Sequence, residues 1–185
     1  MHAGGIRACM APMTSAPRYR IRPVDAADER AVRAIAGIYN AAVRAGGSTA
    51  DIEEQTLEQR RAWVASHRAP YVVAVIEDAG SDHIVGFGAL SVYYDRPGYD
   101  GVTDLAYYIA SDAQGRGAGT AMLDWLLGEA RRRGMRKAIG VIFADNAGSV
   151  ALMHRFGFAR FGLLPAAATD ATGVMHDMSY WWLDL

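Results

Sequence analysis

The chain has 185 residues, 51% of them hydrophobic, and a formal net charge of -1. That is enough for one sizeable core, and the near-neutral balance offers no general attraction to nucleic acid or to an anionic membrane surface. Cys9 is the only cysteine, which excludes an intrachain disulfide and points to a reducing, cytoplasmic compartment.

Residues 1–17 are rich in Ala, Gly, Met and Pro and read as a flexible leader, with Met13 as an alternative start, ahead of one domain over 18–185. Arg7 interrupts the apolar run that an export signal needs, and no later segment reaches the ~18 apolar residues of a membrane span. A strand over 19–22 is expected to stop at Pro23. Asp25 or Asp28 then caps a helix whose stripe is Val32, Ile35, Ala36, Ile38, Tyr39 and Val43. Gly46 and Gly47 break that helix near a substrate entrance, and Thr56 with Gln59 forms a capping box for a second one carrying Leu57, Trp63 and Val64.

The β-rich runs 71–76 and 84–94 are joined by a polar, Gly-containing stretch and read as an antiparallel hairpin. A loop over 95–101 leads into another strand ending near Ala110. Alternation puts Asp104, Ala106 and Tyr108 on one face of it and Thr103, Leu105 and Tyr107 on the other.

Next comes Gln114-Gly115-Arg116-Gly117-Ala118-Gly119, followed by a helix expected from Thr120. Glycines at alternate positions let the backbone turn its N–H groups toward a ligand, and the helix adds the positive end of its dipole. Such a turn suits a pyrophosphate. It lacks the lysine of a P-loop, and Thr120 stands where the dinucleotide fingerprint needs its third glycine.

Met122, Leu123, Leu126, Leu127 and Ala130 form the apolar stripe of the following helix, which Arg131-Arg132-Arg133 and Gly134 close. The arginines are explained by the helix dipole and solvation, and no interleaved aromatic platform suggests nucleic acid. A buried strand spans 137–143, Asp145 or Asn146 caps a short helix through Phe156, and residues 158–164 and 175–185 complete the sheet. Trp181 and Trp182 must point to opposite sides of the last strand, one into the core and the other toward a dimer interface or a helix of the same domain.

The Gln/Arg-x-x-Gly-x-Gly/Ala turn between strand and helix resembles the acetyl-CoA loop of the GCN5-related N-acetyltransferases. The element order over 19–185 is similar to their α/β (α+β) fold, a mixed, mostly antiparallel sheet flanked by helices. Residues 38–43, 48–50, 60–63, 96–99, 145–149 and 176–177 resemble the phosphinothricin and L-amino-acid N-acetyltransferase branch. The resemblance implies direct acetyl transfer from acetyl-CoA to a small primary amine, an amino acid or amino-acid-like antimetabolite, by a homodimer without metal. Acetylation of a protein N-terminus or lysine, and an acetyl-CoA-binding module without turnover, are the alternatives.

Carried over residue by residue, the resemblance implies that the backbone of Tyr107, Tyr108 and Ile109 pairs with the pantetheine arm. Gln114, Gly115, Arg116, Gly117, Ala118, Gly119 and Thr120 form the pyrophosphate loop; Arg116 either adds charge or is merely solvated. Asn146 contacts the cofactor, caps a helix, or does both. Asp104 takes the place of the family's glutamate base; being one methylene shorter, it is less suited to direct abstraction and better suited to acting through a bridging water, or else it pairs with an arginine. The family's thiolate proton donor falls on Met153, which leaves His154, one step and about 100° around the helix, or Tyr108, or a water. Arg96 is the cation chosen for a substrate carboxylate, with Tyr99 walling the pocket. The late lysine- and aromatic-containing segment of the branch is replaced by 168–175, which disfavours phosphinothricin itself. His176-Asp177 has no third ligand and is not read as a metal site.

Overall fold

The computed structural model describes residues 18–185; the expected leader, with Cys9 and Met13, lies outside them. Strands β1 (Tyr19–Val24), β2 (Val72–Asp78), β3 (Ile84–Val92), β4 (Val102–Ile109), β5 (Lys137–Phe143), β6 (Ala159–Thr169) and β7 (Met175–Asp184) form one sheet in the order β1-β2-β3-β4-β5-β7-β6. Every neighbouring pair is antiparallel except β4 and β5. Helices α1 (Glu29–Ala45), α2 (Leu57–Ser66), α3 (Ala118–Arg132) and α4 (Ala147–Arg155) complete a single α/β domain.

The β4–β5 pair positions the site. The strands are in register only at Val102, Thr103 and Asp104 against Lys137, Ala138 and Ile139. Beyond Asp104, β4 stays bonded to β3 on its other side but has no ladder to β5, so the sheet opens into a cleft at its centre.

Two apolar clusters cover the faces. Buried Ala31, Val32, Ile35, Tyr39 and Val43 of α1 pack with Val64 of α2 on Val73, Val75, Phe87 and Ala89. On the other face Met122, Leu123, Leu126 and Leu127 of α3 and Met153 of α4 pack on Ile76, Leu90 and Leu105. Leu126 is fully buried, so its truncation to alanine is expected to cost about 2–5 kcal/mol.

Local signals are realised with several boundary shifts: β3 ends at Val92 rather than at residue 94, and β6 runs to Thr169 rather than to residue 164. Asp28 is the α1 cap, its Oδ1 accepting from the Ala31 N–H at 2.9 Å, while Asp25 Oδ1 holds the preceding turn through the Ala27 N–H at 2.9 Å. Thr56 and Gln59 form the reciprocal capping box. Strand β1, however, runs through Pro23 to Val24, because β1 is an edge strand and an edge tolerates a residue that lacks an N–H. Helix α3 begins at Ala118, two residues before the expected start, since Gly117 at φ 88° is already its N-cap. Of the three arginines closing α3, Arg132 and Arg133 pair with the buried Glu129.

Trp181 enters the core, and its indole N–H donates to Ser179 Oγ at 2.9 Å. Trp182 is half-buried on the opposite side, where Lys137 Nζ lies 3.9 Å from its ring centroid.

Candidate active site

The glycine turn connects the end of β4 to α3. Gly115 and Gly117 have φ of 70° and 88°, in the left-handed region that glycine alone enters without strain, and a Cβ at either position would meet no atom of the described residues within 4 Å. The turn is therefore an open cradle. Among the described residues no side chain caps α3, and the N–H groups of Ala118, Gly119 and Thr120 in its first turn have no intrahelical partner and point with the helix dipole toward an incoming anion. This donor set fits a pyrophosphate. Arg116 is exposed, and its carbonyl accepts the Tyr19 hydroxyl at 3.1 Å, which ties the cradle to the edge strand; sequence gave no sign of this contact. Gln114 donates to the Ile109 carbonyl at 3.2 Å, closing the turn at its start.

Asp104 is the last β4 residue paired with β5, at the vertex of the cleft. It faces α1 and α2, as does Tyr108, because their β3 partners are Ser91 and Phe87. The carboxyl is largely buried, and desolvation raises its pKa to about 6 against a lesser opposing effect of the Leu105 N–H. Among the described residues no cation lies within ion-pair distance of it, so the arginine-paired alternative is not what this fold contains.

Tyr93, Tyr94 and Tyr99 cluster beside it, with centroids 5.0, 5.9 and 5.2 Å apart. Burial, and then the neighbouring Tyr94, Tyr99 and Asp104, push the Tyr93 phenol up. Arg96 is held in the same loop, its N–H donating to the Tyr94 carbonyl at 2.8 Å and its carbonyl accepting from the Tyr99 N–H at 2.9 Å. The Arg96 side chain is exposed and has no acidic partner among the described residues.

Tyr108 stacks on Phe87 at 5.3 Å and meets Tyr39 edge-on at 5.0 Å. Burial pushes its phenol far up, with Tyr39 adding to the effect and Thr49 opposing it. Tyr39 in turn donates to Asp51 at 2.8 Å and lies 3.0 Å from the Thr49 hydroxyl, so the 46–55 segment closes over this face. His154 is elsewhere. It is exposed on α4, edge-on to Trp181 at 5.0 Å, while Met153 takes the inward position.

Asn146 caps α4, accepting from the Ser149 N–H at 3.0 Å, and its amide donates to the Gly47 carbonyl at 3.2 Å. Both halves of the side chain are thus engaged within the protein. Two neighbours were missed by sequence reasoning. His67 bonds Ser91 Oγ through Nε2 at 2.8 Å and the Trp63 carbonyl through Nδ1 at 2.7 Å; the carbonyl fixes the proton on Nδ1, so Nε2 accepts from the serine that faces Asp104. Its helical spacing from Arg60, Trp63 and Val64 was the available signal. Asp170, whose carboxylate receives the Gly47 N–H at 2.8 Å, gave no signal. Among the described residues no three His, Cys, Asp or Glu side chains stand at metal-binding distance, and no helix is long and apolar enough to cross a membrane.

A sheet that splays beside a glycine cradle, with a largely buried carboxyl at the vertex, is an arrangement suited to a transferase. Residues 35–158 match the acetyltransferase (GNAT) family, and the chain belongs to that family. It is 30% identical over 155 residues to an L-methionine sulfoximine/L-methionine sulfone acetyltransferase of Pseudomonas aeruginosa, covering 82% of this chain and 87% of the relative. The fold superposes on a GNAT superfamily phosphinothricin acetyltransferase from Sinorhizobium meliloti in complex with AcCoA with a TM-score of 0.83, at 25% identity and with coverage of 91% and 89%. It also matches a ribosomal-protein-alanine N-acetyltransferase from Brucella melitensis with a TM-score of 0.80, at 30% identity and with coverage of 90% and 99%.

Proposed function

We propose that this acetyltransferase moves the acetyl group of its co-substrate acetyl-CoA to the α-amino group of a small amino-acid-like molecule of the methionine sulfone type. Asp104 takes the ammonium proton, directly or through one water, Arg96 grips the carboxylate in a two-pronged contact, and Tyr99 walls the pocket. The observation that carries this reading is the Asp104 carboxyl, desolvated at the cleft vertex with its pKa raised to about 6 and no cation of the described residues beside it. A base so poised is largely ionised at neutral pH and still accepts a proton readily. The amides of 115–120 hold the pyrophosphate, and the β4 backbone at Tyr107, Tyr108 and Ile109, free of β5, receives the pantetheine arm.

The deciding experiment is a thiol-release screen with acetyl-CoA against free amino acids, methionine sulfone and sulfoximine, phosphinothricin, polyamines and short peptides. Turnover on the free amino-acid-like amines is the expected result. Turnover on peptides alone would move the assignment to protein acetylation, the activity named for the Brucella melitensis neighbour. Cofactor binding without any thiol release would make the chain a binding module.

The same reading places the enzyme in the cytoplasm, where acetyl-CoA is made, and as a homodimer. Edge strand β6 supports the second copy: Phe161, Leu163 and Leu164 on it are 54%, 47% and 52% exposed, an apolar rim that a lone sheet edge leaves open to pairing. Sedimentation equilibrium is expected to give a dimer that Leu163→Asp converts to monomer; a wild-type monomer removes this part of the reading.

A further inference from the structure

Tyr107 and Tyr108 are neighbours on β4, yet their side chains enter different halves of the molecule. Tyr108 joins Phe87 and Ala89 under α1, whereas Tyr107 packs with Met122, Leu123 and Met153 on the α3 and α4 side. Its phenolic oxygen is buried and has no hydrogen-bond partner among the described residues. A buried hydroxyl left unpaired costs folding free energy, so its retention calls for a ligand atom that completes it.

The position of that oxygen says which atom. Tyr107 lies three residues beyond Asp104, in the stretch of β4 that has parted from β5. Its hydroxyl reaches toward Ser149 in the first turn of α4, the helix that follows β5, near enough for the serine to favour the ionised phenol but outside bonding geometry. The phenol therefore projects from β4 toward the start of α4, on the face opposite Asp104. The carbon under attack must lie between these two faces if the amine meets Asp104 and the phosphates rest on 115–120.

We propose that the Tyr107 hydroxyl is the group that protonates the departing coenzyme A thiolate. The inference rests on the acetyl-CoA reading above. The amine nitrogen, relieved of one proton by Asp104, bonds to the thioester carbon; the C–S bond then breaks with its electron pair going to sulfur. Tyr107 gives its proton to that sulfur and regains one from the new amide nitrogen through water, so the net proton released is the one on Asp104. Burial raises the phenol's pKa, and Ser149 offsets this only in part, which keeps the proton in place until a thiolate forms.

The test needs no turnover. A hydrogen bond donated to a thiolate stabilises it, so coenzyme A bound to the wild-type protein is expected to show a larger thiolate fraction, read by ultraviolet absorbance at fixed pH, than coenzyme A bound to Tyr107→Phe. The expected ratio is about 10- to 100-fold. Tyr107→Phe keeps the ring that packs the core and deletes only the orphaned oxygen, so its thermal midpoint is expected to equal or exceed that of the wild type. Turnover should fall about 100-fold or more. Equal thiolate fractions in two proteins that both bind coenzyme A would overturn the role of Tyr107 alone. Failure of the wild-type protein to bind coenzyme A in calorimetry would overturn the acetyl-CoA reading, and this inference with it.

Discussion

His176 Nε2 lies 3.0 Å from Asp170 Oδ2, and the other ring nitrogen lies 2.8 Å from Asp145 Oδ2. A neutral imidazole has only one N–H to give, so a ring with a carboxylate at each nitrogen is favoured as the cation. Its plane stacks on Phe143 at 4.2 Å, and Asp170 also receives the N–H groups of Gly47, Thr172 and Val174. A Cβ on Gly46 would collide with the same carboxylate, so that glycine is required both by its φ of 72° and by Asp170. The result is a latch between β7 and the segment that closes over Tyr39.

The latch has a pH window. The Asp170 hydrogen bonds to Thr172, ahead of a smaller effect of His176, hold its pKa below the usual carboxylate range, so its contribution is present above about pH 4 and is lost as pH falls through the lowered value. Asp170, then Asp145, raise the His176 pKa, so that contribution is complete below about pH 6.5 and is lost as pH rises through the raised value. His176→Asn is therefore expected to lower the thermal midpoint by several degrees at pH 6 and by much less at pH 9. An equal loss at both values, measured by calorimetry, would mean that the ring acts by packing alone.

Arg96 should separate the two substrates kinetically. An exposed guanidinium without an acidic partner loses little by itself, but a two-pronged contact with a carboxylate is worth about 1.5–3 kcal/mol. Arg96→Ala is expected to raise KM for an amino-acid-like amine about 10- to 100-fold and leave KM for acetyl-CoA unchanged. Arg96→Lys should recover only part of the loss, because an ammonium lacks the planar fork. Steady-state kinetics with each substrate varied in turn distinguishes the outcomes, and unchanged amine KM in Arg96→Ala would remove the residue from the pocket.

The cradle offers a conformational test at Gly117, where an added methyl meets no atom of the described residues within 4 Å and the penalty comes from φ 88°. Holding alanine in the left-handed region costs about 1–2 kcal/mol. Gly117→Ala should therefore either lower the melting midpoint by a few degrees or relax the turn and weaken coenzyme A binding about 5- to 30-fold. Titration calorimetry beside a melting curve reads both. Neither change would mean that the turn bears no strain and touches no phosphate.

What the sequence disclosed follows from how local each signal is. The α1 stripe, the Thr56 capping box and the glycine turn are written in residues a few positions apart, and each reappears in the structure. The extension of β1 through Pro23 depends on β1 lying at the sheet edge, a fact of strand order rather than of residues 19–24. Asp170 meets Gly47 across 123 positions and His67 meets Ser91 across 24, so neither contact has a spacing to be read. The alternation of β4 correctly separated Tyr107 from Tyr108; that the oxygen of the former would be left without a partner required the packing of α4 around it.

Asp104 carries the opposing demands of stability and chemistry most directly. Its folded pKa of about 6 exceeds the ordinary 3.8, so the fold disfavours the ionised carboxyl and loses stability as pH rises between these values. Two pH units correspond to about 2–3 kcal/mol. Asp104→Asn keeps the shape, removes the buried charge and is expected to raise stability at pH 8 by up to that amount, while at about pH 3, below the ordinary value of 3.8, the carboxyl is largely neutral in folded and unfolded chains and the two proteins should melt together. Turnover should move the other way, falling about 100-fold or more with acetyl-CoA affinity intact, and the acid limb of kcat near pH 6 should vanish. A variant less stable at pH 8 would show that the carboxylate is anchored by a partner rather than exposed to desolvation. Wild-type turnover in a stabilised Asp104→Asn would assign the base to another group, and His67, linked to the same wall through Ser91, would be the first to replace.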